Sequence, residues 1–411
     1  MSVDAPAIEN FDYLLKLMMR KQASDMFISV GLPPTLKING RNVAISPTPL
    51  NEEQASSVVF SVMNNDQRQA FDESQEANFA IHRPNVGRFR VSVFCQKQKV
   101  GMVLRKIETQ IPTVEQLRLP TTLNDMVMEK RGLILVVGGT GSGKSTSLAA
   151  MIGHRNRTSH GHIISIEDPI EYIHQHDGCI ITQREVGVDT ESYEIALKNT
   201  LRQAPDVILI GEIRTRETME HALTFAETGH LCLATLHANN ANQALERVVN
   251  FFPFERREQI LLDLSLNLKG IIAQQLIATP DGKSRRAVLE ILLGTPFIAD
   301  LIQKGEIYKI KEVMTKSTNM GMQTFDQALY DLFKNDAITY EDALRHADSA
   351  NQLRLMIKLG RNAAINEENE AEWSLTNDEL AVEPQYKQKQ KQQNDTNSQA
   401  DYILLDPDDE P

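Results

Sequence analysis

The sequence predicts an α/β protein in which a small α+β domain precedes a larger domain built on a parallel sheet. Two observations carry this. Buried-type apolar runs recur from residue 132 onward, "LILVV", "HIISI", "DVILIG" and "LCLATLH", with helical stretches between them, a pattern that suits a parallel sheet covered on both faces. Before residue 107 the chain instead alternates short β-like runs with a single helical stretch.

In chain order, residues 1–107 give the runs "MFISV", "TLKING", "RFRVSVF" and "GMVLRKI", with a helix expected from Glu52 to Phe71. Residues 108–131 form a linker, "IPTVEQLRLP" bracketed by Pro112 and Pro120, and the helix of "TLNDMVMEKRG" leads into the second domain. That domain spans 132–365. After Phe254 it turns mainly helical, as in "ERREQILLDLSLNLKGIIAQQLI" and "GMQTFDQALYDLFKNDAITYEDALRHA", with one further strand, "RRAVLEILL".

Composition narrows the class. A chain of 411 residues with 41% hydrophobic and 24% charged residues has material for two cores. Apolar runs fall far short of the ~20 residues a bilayer helix needs, and the first residues lack the build of a signal peptide, so a cytoplasmic protein is expected. Cys95, Cys179 and Cys232 lie far apart and read as reduced core thiols. The net charge of −12 is concentrated at the end: residues 366–411 hold thirteen acidic residues against three lysines, leaving −2 for the rest. Rich in Gln, Asn and Glu, this segment is expected to be a disordered acidic tail.

Gly138, Gly139, Thr140, Gly141, Ser142, Gly143, Lys144 and Ser145 fit G-x-x-x-x-G-K-[ST] in full, between a strand and a helix. The glycines allow a nest of N–H groups around a phosphate, the helix N-terminus faces the anion, Lys144 reaches the β and γ oxygens, and Ser145 is placed to ligate Mg²⁺. Hydrolysis needs carboxylates as well. "VILIGE" ends a strand in Glu212, where a P-loop protein holds Mg²⁺ through water, and "ISIEDPIEY" delivers Glu167, Asp168 and Glu171, candidates to activate the attacking water. His230 and His237 flank the strand in "ETGHLCLATLHANN" and read as polar sensors of nucleotide state rather than zinc ligands. Arg88, Arg90 and Arg105 on first-domain strands are either a solvent face or a trans-acting source of positive charge, and spacing does not choose.

Together "GGTGSGKST", "ISIEDPIEY", "LRQAPDVILIGEIR" and "ETGHLCLATLHANNANQALERVV" resemble the secretion ATPase superfamily, specifically its PilT/PilU-type pilus retraction motors, over about Phe11 to Leu359. The resemblance implies a PAS-like first domain, a RecA-like P-loop ATPase core, ATP and Mg²⁺ as cofactors, and a homohexameric ring at the cytoplasmic face of the inner membrane. It maps the family's Walker A to Gly138 through Thr146, its general base to Glu171, its Walker B to Glu212, its histidine box to His230 and His237, and its nucleotide-directed arginines to Arg90 and Arg105. The family's four-cysteine zinc motif of extension motors is missing, "GTPFIADLIQKGEIYKI" replaces the retraction helix, and Ala204 and the acidic extension fit the PilU branch better. That branch is taken to support retraction and twitching motility alongside a PilT-type ATPase, through an inner-membrane platform protein; the alternative is an accessory nucleotide-binding subunit. A nucleic-acid partner is not expected, since the folded part shows no basic stripe.

Overall fold

The computed structural model describes residues 11–371 apart from Asn39 and residues 108–109, and for 361–371 the backbone alone. The chain divides after Ile107 into two compact units, the second spanning Glu108–Glu368.

In the first unit, α1 (Phe11–Arg20) is followed by β1 (Asp25–Ser29), β2 (Thr35–Ile38), β3 (Arg41–Ala44), α2 (Glu52–Ser61), α3 (Asn65–Ser74), β4 (Glu76–Arg83), β5 (Gly87–Gln96) and β6 (Lys99–Ile107). The six strands form one antiparallel sheet in the order β3-β2-β1-β6-β5-β4. Leu14, Leu15 and Met18 of α1 and Val58 and Val59 of α2 bury against Met26, Phe89, Val91 and Leu104 of the sheet. The helix expected over Glu52–Phe71 is two helices. Asn64 opens the second with a capping box, its side chain accepting from Gln67 N (2.8 Å) while the Gln67 side chain accepts from Asn64 N (2.9 Å), so the chain restarts there instead of continuing.

The second unit holds α4 (Thr122–Val127), β7 (Gly132–Val137), α5 (Lys144–Thr158), β8 (Gly161–Glu167), β9 (Cys179–Glu185), α6 (Tyr193–Thr200), β10 (Val207–Ile210), α7 (Arg216–Glu227), β11 (Leu231–Leu236), α8 (Ala241–Asn250), α9 (Arg257–Asn267), β12 (Leu268–Ala278) and β13 (Arg285–Leu293). Helices α10 (Pro296–Gln303), α11 (Ile310–Lys316), α12 (Phe325–Lys334), α13 (Tyr340–His346) and α14 (Ala350–Ala371) complete it. The sheet runs β13-β12-β7-β11-β10-β8-β9 and is parallel except for the β13 edge. This is a mixed α/β unit with a RecA-like core. Side chains of β7 alternate between two cores, Leu133, Leu135 and Val137 on one face and Ile134 and Val136 on the other, all fully buried. That is why this strand has no polar face in the sequence.

The structure departs from the sequence reading of this unit in three places. The helix expected across 255–277 ends at Asn267, and its second half is β12, paired parallel to β7 and antiparallel to β13. A continuous apolar run fits a buried strand or a buried helix equally by periodicity, and here the open edge of β7 decides. Strand β9 carries no clear signal in the sequence; with Thr182, Gln183 and Arg184 in its second half it is too polar to resemble its neighbours. At the chain's end, α14 continues to Ala371, past the tail boundary expected after residue 365. The rest of the tail lies outside the described residues. No described helix is long and apolar enough to cross a membrane.

Candidate active site

The C-terminal ends of parallel strands form the ligand edge of an open α/β sheet, because the loops there separate and leave a crevice. Here that edge opens into a cavity of about 310 Å³ lined by Thr140, Gly141, Lys144 and Ser145 on one side and by Glu167, Asp168, Glu171, Glu212, Arg214 and His237 on the other. Residues from β7, β8, β10 and β11, far apart in sequence, therefore meet in one place.

The glycine-rich loop leaves β7 through Gly138 and enters α5 through Gly143. Gly138 has φ +153°, and a Cβ there would lie 2.4 Å from the Gln274 carbonyl oxygen. Gly143 is left-handed at φ +89°, and a Cβ would lie 2.7 Å from Gln274 Nε2. Glycine is required at both for conformation and for space. Lys144 Nζ donates to the carbonyl oxygens of Gly138 and Gly139, 2.9 Å each, so the ammonium is curled over the loop. Burial lowers its pKa, with the Glu212 charge acting the other way. Thr146 Oγ1 lies 2.8 Å from the Tyr172 hydroxyl, tying the helix to the acidic segment.

Gln274 on β12 supports the loop from below. It is 2% exposed; its Oε1 accepts from Ser147 Oγ (2.7 Å) and its Nε2 donates to the Ser142 carbonyl (2.9 Å). Sequence reasoning missed it, and no signal was available once its strand had been read as helix.

Glu212 Oε2 accepts from Arg214 (2.7 Å) and Glu212 Oε1 lies 3.0 Å from His237 Nε2. Burial alone would raise this carboxyl, but the hydrogen bond and charge of Arg214, with His237 and Lys144, outweigh it and hold the group below its ordinary range. Arg214 stands two residues from Glu212 in "GEIR", a signal that could have been used. Glu167 behaves oppositely. Burial raises its carboxyl, although Ser165 Oγ (2.6 Å) and Gln183 Nε2 (3.2 Å) both donate to it. His174 on the cavity wall is pushed down to about 4 by burial and by Arg157, so its imidazole is neutral at physiological pH.

Not every candidate converges. His230 lies at the opposite end of β11 from His237, its carbonyl accepting from Gly132 N (3.0 Å) and its Nδ1 3.1 Å from Thr228 Oγ1. A six-residue strand separates the two histidines by about 20 Å, and His230 is not brought to the cavity. Arg90 and Arg105 belong to the first unit, where they face each other in register across β5 and β6. Arg105 Nε donates to Asp25 Oδ1 (2.9 Å), a carboxylate only 4% exposed.

Residues 3–324 match the family described as type II/IV secretion system proteins. The chain is 66% identical to the type IV pilus ATPase PilU of Pseudomonas aeruginosa, over 85% of this chain and 92% of that one. It is 40% identical to the type IV pilus retraction ATPase PilT of the same organism, over 81% of this chain and 97% of that one. The crystal structure of the pilus retraction motor PilT with bound ADP is similar with a TM-score of 0.78 at 40% identity, covering 83% of this chain and 98% of the other. Agreement in sequence and in fold along most of the length leads to one placement: this chain belongs to the type II/IV secretion system proteins, among their PilT- and PilU-type ATPases.

Proposed function

We propose that this chain is an ATP-hydrolysing, PilU-like motor of the type IV pilus machine that works as a homohexamer alongside a PilT-type ATPase. The observation that carries the reading is the cavity in which the P-loop faces Glu171 and Glu212. Lys144 exchanges its two carbonyl partners for the β and γ oxygens of the nucleotide. Glu171 orients the attacking water and takes its proton. Ser145 and Glu212 are hard oxygen donors lining one cavity, which fits Mg²⁺, an ion that keeps much of its shell as water and phosphate oxygen. Once bound, that ion supplies neutralising charge to the phosphate oxygens. His237 steadies the Glu212 carboxylate that would hold it. Arg90 or Arg105 reaches the nucleotide of a neighbouring subunit. Closure of the two units around nucleotide is then transmitted to an inner-membrane platform protein at the cytoplasmic face, and so to the pilus.

Purified full-length protein is expected to hydrolyse ATP with magnesium. Glu171→Gln should lose about 10² to 10⁴ in kcat, the usual worth of a positioned base. Lys144→Ala should lose at least as much. Unchanged rates in both variants would overturn the site assignment.

A second reading, an accessory subunit that exerts force only in complex with a PilT-type ring, draws support from α10. Phe297 in its first turn is 57% exposed and opens onto a groove shared with Leu301 and Val313, a surface for another protein to grip. Retraction by this chain in cells without the PilT-type ATPase would exclude that reading.

A further inference from the structure

Tyr193 is the first residue of α6, and its ring packs against the larger core of the second unit. Packing accounts for the ring and leaves the hydroxyl unexplained. The oxygen is sealed from solvent and, among the described residues, hydrogen-bonds to no protein atom. An apolar phenyl would fill the same space without leaving a buried polar group unpaired, which costs about 1–3 kcal/mol.

The position of the oxygen points to a use. It lies against Gly211, where a Cβ would sit 2.9 Å from it and 3.0 Å from Glu167 Cα. Gly211 N donates to the Ile166 carbonyl (2.8 Å), so the hydroxyl lies under the junction where the ends of β8 and β10 turn out toward the cavity. Burial first, and then the negative charges of Asp168, Glu167 and Glu212, keep the phenol protonated against the opposing charge of Arg214, so the hydroxyl has a proton to donate. The Asp168 carboxylate, which lines the cavity, likewise makes no hydrogen bond or ion pair within 4.0 Å to another described residue. A buried donor without an acceptor thus lies at Gly211 and the backbone of Glu167, one residue before a carboxylate without a donor and four before the proposed base Glu171.

We propose that Tyr193 is a positioning residue for the hydrolytic reaction, its hydroxyl donating to the Asp168 carboxylate when the site closes around magnesium nucleotide and so fixing the 167–171 segment. The inference rests on the ATPase reading above. Because the hydrogen bond forms only in a closed, reactive state that a minor fraction of the nucleotide complex occupies, its effect falls on kcat and not on nucleotide binding or on the stability of the nucleotide-free protein.

The test is Tyr193→Phe in the full-length protein, with ATPase kinetics and thermal melting without nucleotide. Expected are a fall in kcat of about tenfold, the worth of one hydrogen bond of ~1.4 kcal/mol, a KM within twofold of wild type, and a melting temperature equal to or above wild type. A fall in kcat of less than threefold, or a larger fall accompanied by a lowered melting temperature, overturns the proposal. Asp168→Asn, which keeps an oxygen able to accept, is expected to retain more activity than Asp168→Ala; equal losses in the two overturn Asp168 as the acceptor. If Lys144→Ala abolishes hydrolysis while Tyr193→Phe leaves it intact, this inference alone fails; if neither substitution matters, the ATPase reading fails with it.

Discussion

Glu212 is gripped on both oxygens, by Arg214 at 2.7 Å and by His237 at 3.0 Å. The carboxylate proposed to hold Mg²⁺ therefore has its charge secured before any ligand arrives. The sign of the effect can be worked out. Arg214 lowers the Glu212 pKa and burial raises it, so removing the guanidinium lets burial act with less opposition and the pKa climbs. Arg214→Ala should accordingly move the acid limb of the kcat/KM profile to higher pH, with activity lost earlier as pH falls. ATPase profiles of variant and wild type between pH 4.5 and 8 measure this; coincident limbs would show that Arg214 does not set the ionisation of Glu212. The sequence showed this residue-scale chemistry unevenly. The P-loop is legible because its parts are contiguous, and Gly138, Gly141 and Gly143 hold positive φ angles that favour glycine. His230 and His237 look equivalent in sequence, and only the length and direction of β11 send one to the cavity and the other to the far edge.

At the scale of elements, strands β7, β8, β10 and β11 announce themselves as short buried apolar runs, while β9 is hidden by its polar residues and β12 by an apolar pattern that fits a buried helix equally well. Strand β12 is the costly omission. It lies beside β7, and through Gln274 it carries the only described side-chain hydrogen bonds that β12 makes to the glycine-rich loop and the start of α5. A residue that acts across 127 positions of sequence, from Ser147 to Gln274, leaves no local pattern to read. Its loss can nonetheless be predicted. Gln274→Leu keeps the apolar bulk but strands the Ser147 hydroxyl and the Ser142 carbonyl in a buried place, each costing about 1–3 kcal/mol. Denaturant unfolding should show a destabilisation of ~2–6 kcal/mol, and the KM for ATP should rise because the loop is no longer held in its anion-binding shape. A variant with wild-type stability and wild-type KM would show that the loop needs no support from β12.

For the whole molecule the open question is how two units cooperate when the arginines assigned to nucleotide lie in the one without the P-loop. Trans action in the proposed ring would answer it, and the two candidates differ in what they can be used to test. Arg105 is committed to Asp25, so its removal leaves a nearly buried carboxylate without its cation and confounds stability with activity. Arg90, opposite it in register, is the cleaner probe. If Arg90 serves the neighbouring subunit, Arg90→Ala should lose about 10³ to 10⁵ in kcat, the range for an arginine that stabilises phosphoryl transfer. Lys144→Ala is inactive for a different reason, since it spoils its own P-loop while keeping its arginine. Mixing the two inactive proteins in equal amounts gives rings in which about a quarter of the heterologous interfaces pair an intact P-loop with an intact arginine from next door. ATPase activity should then recover to roughly that fraction of wild type, with differently tagged subunits co-purifying to show that mixed rings have formed. A mixture that co-purifies and stays inactive would place the source of transition-state charge within the same subunit or on another arginine, and would detach the first unit from the chemistry of its neighbour.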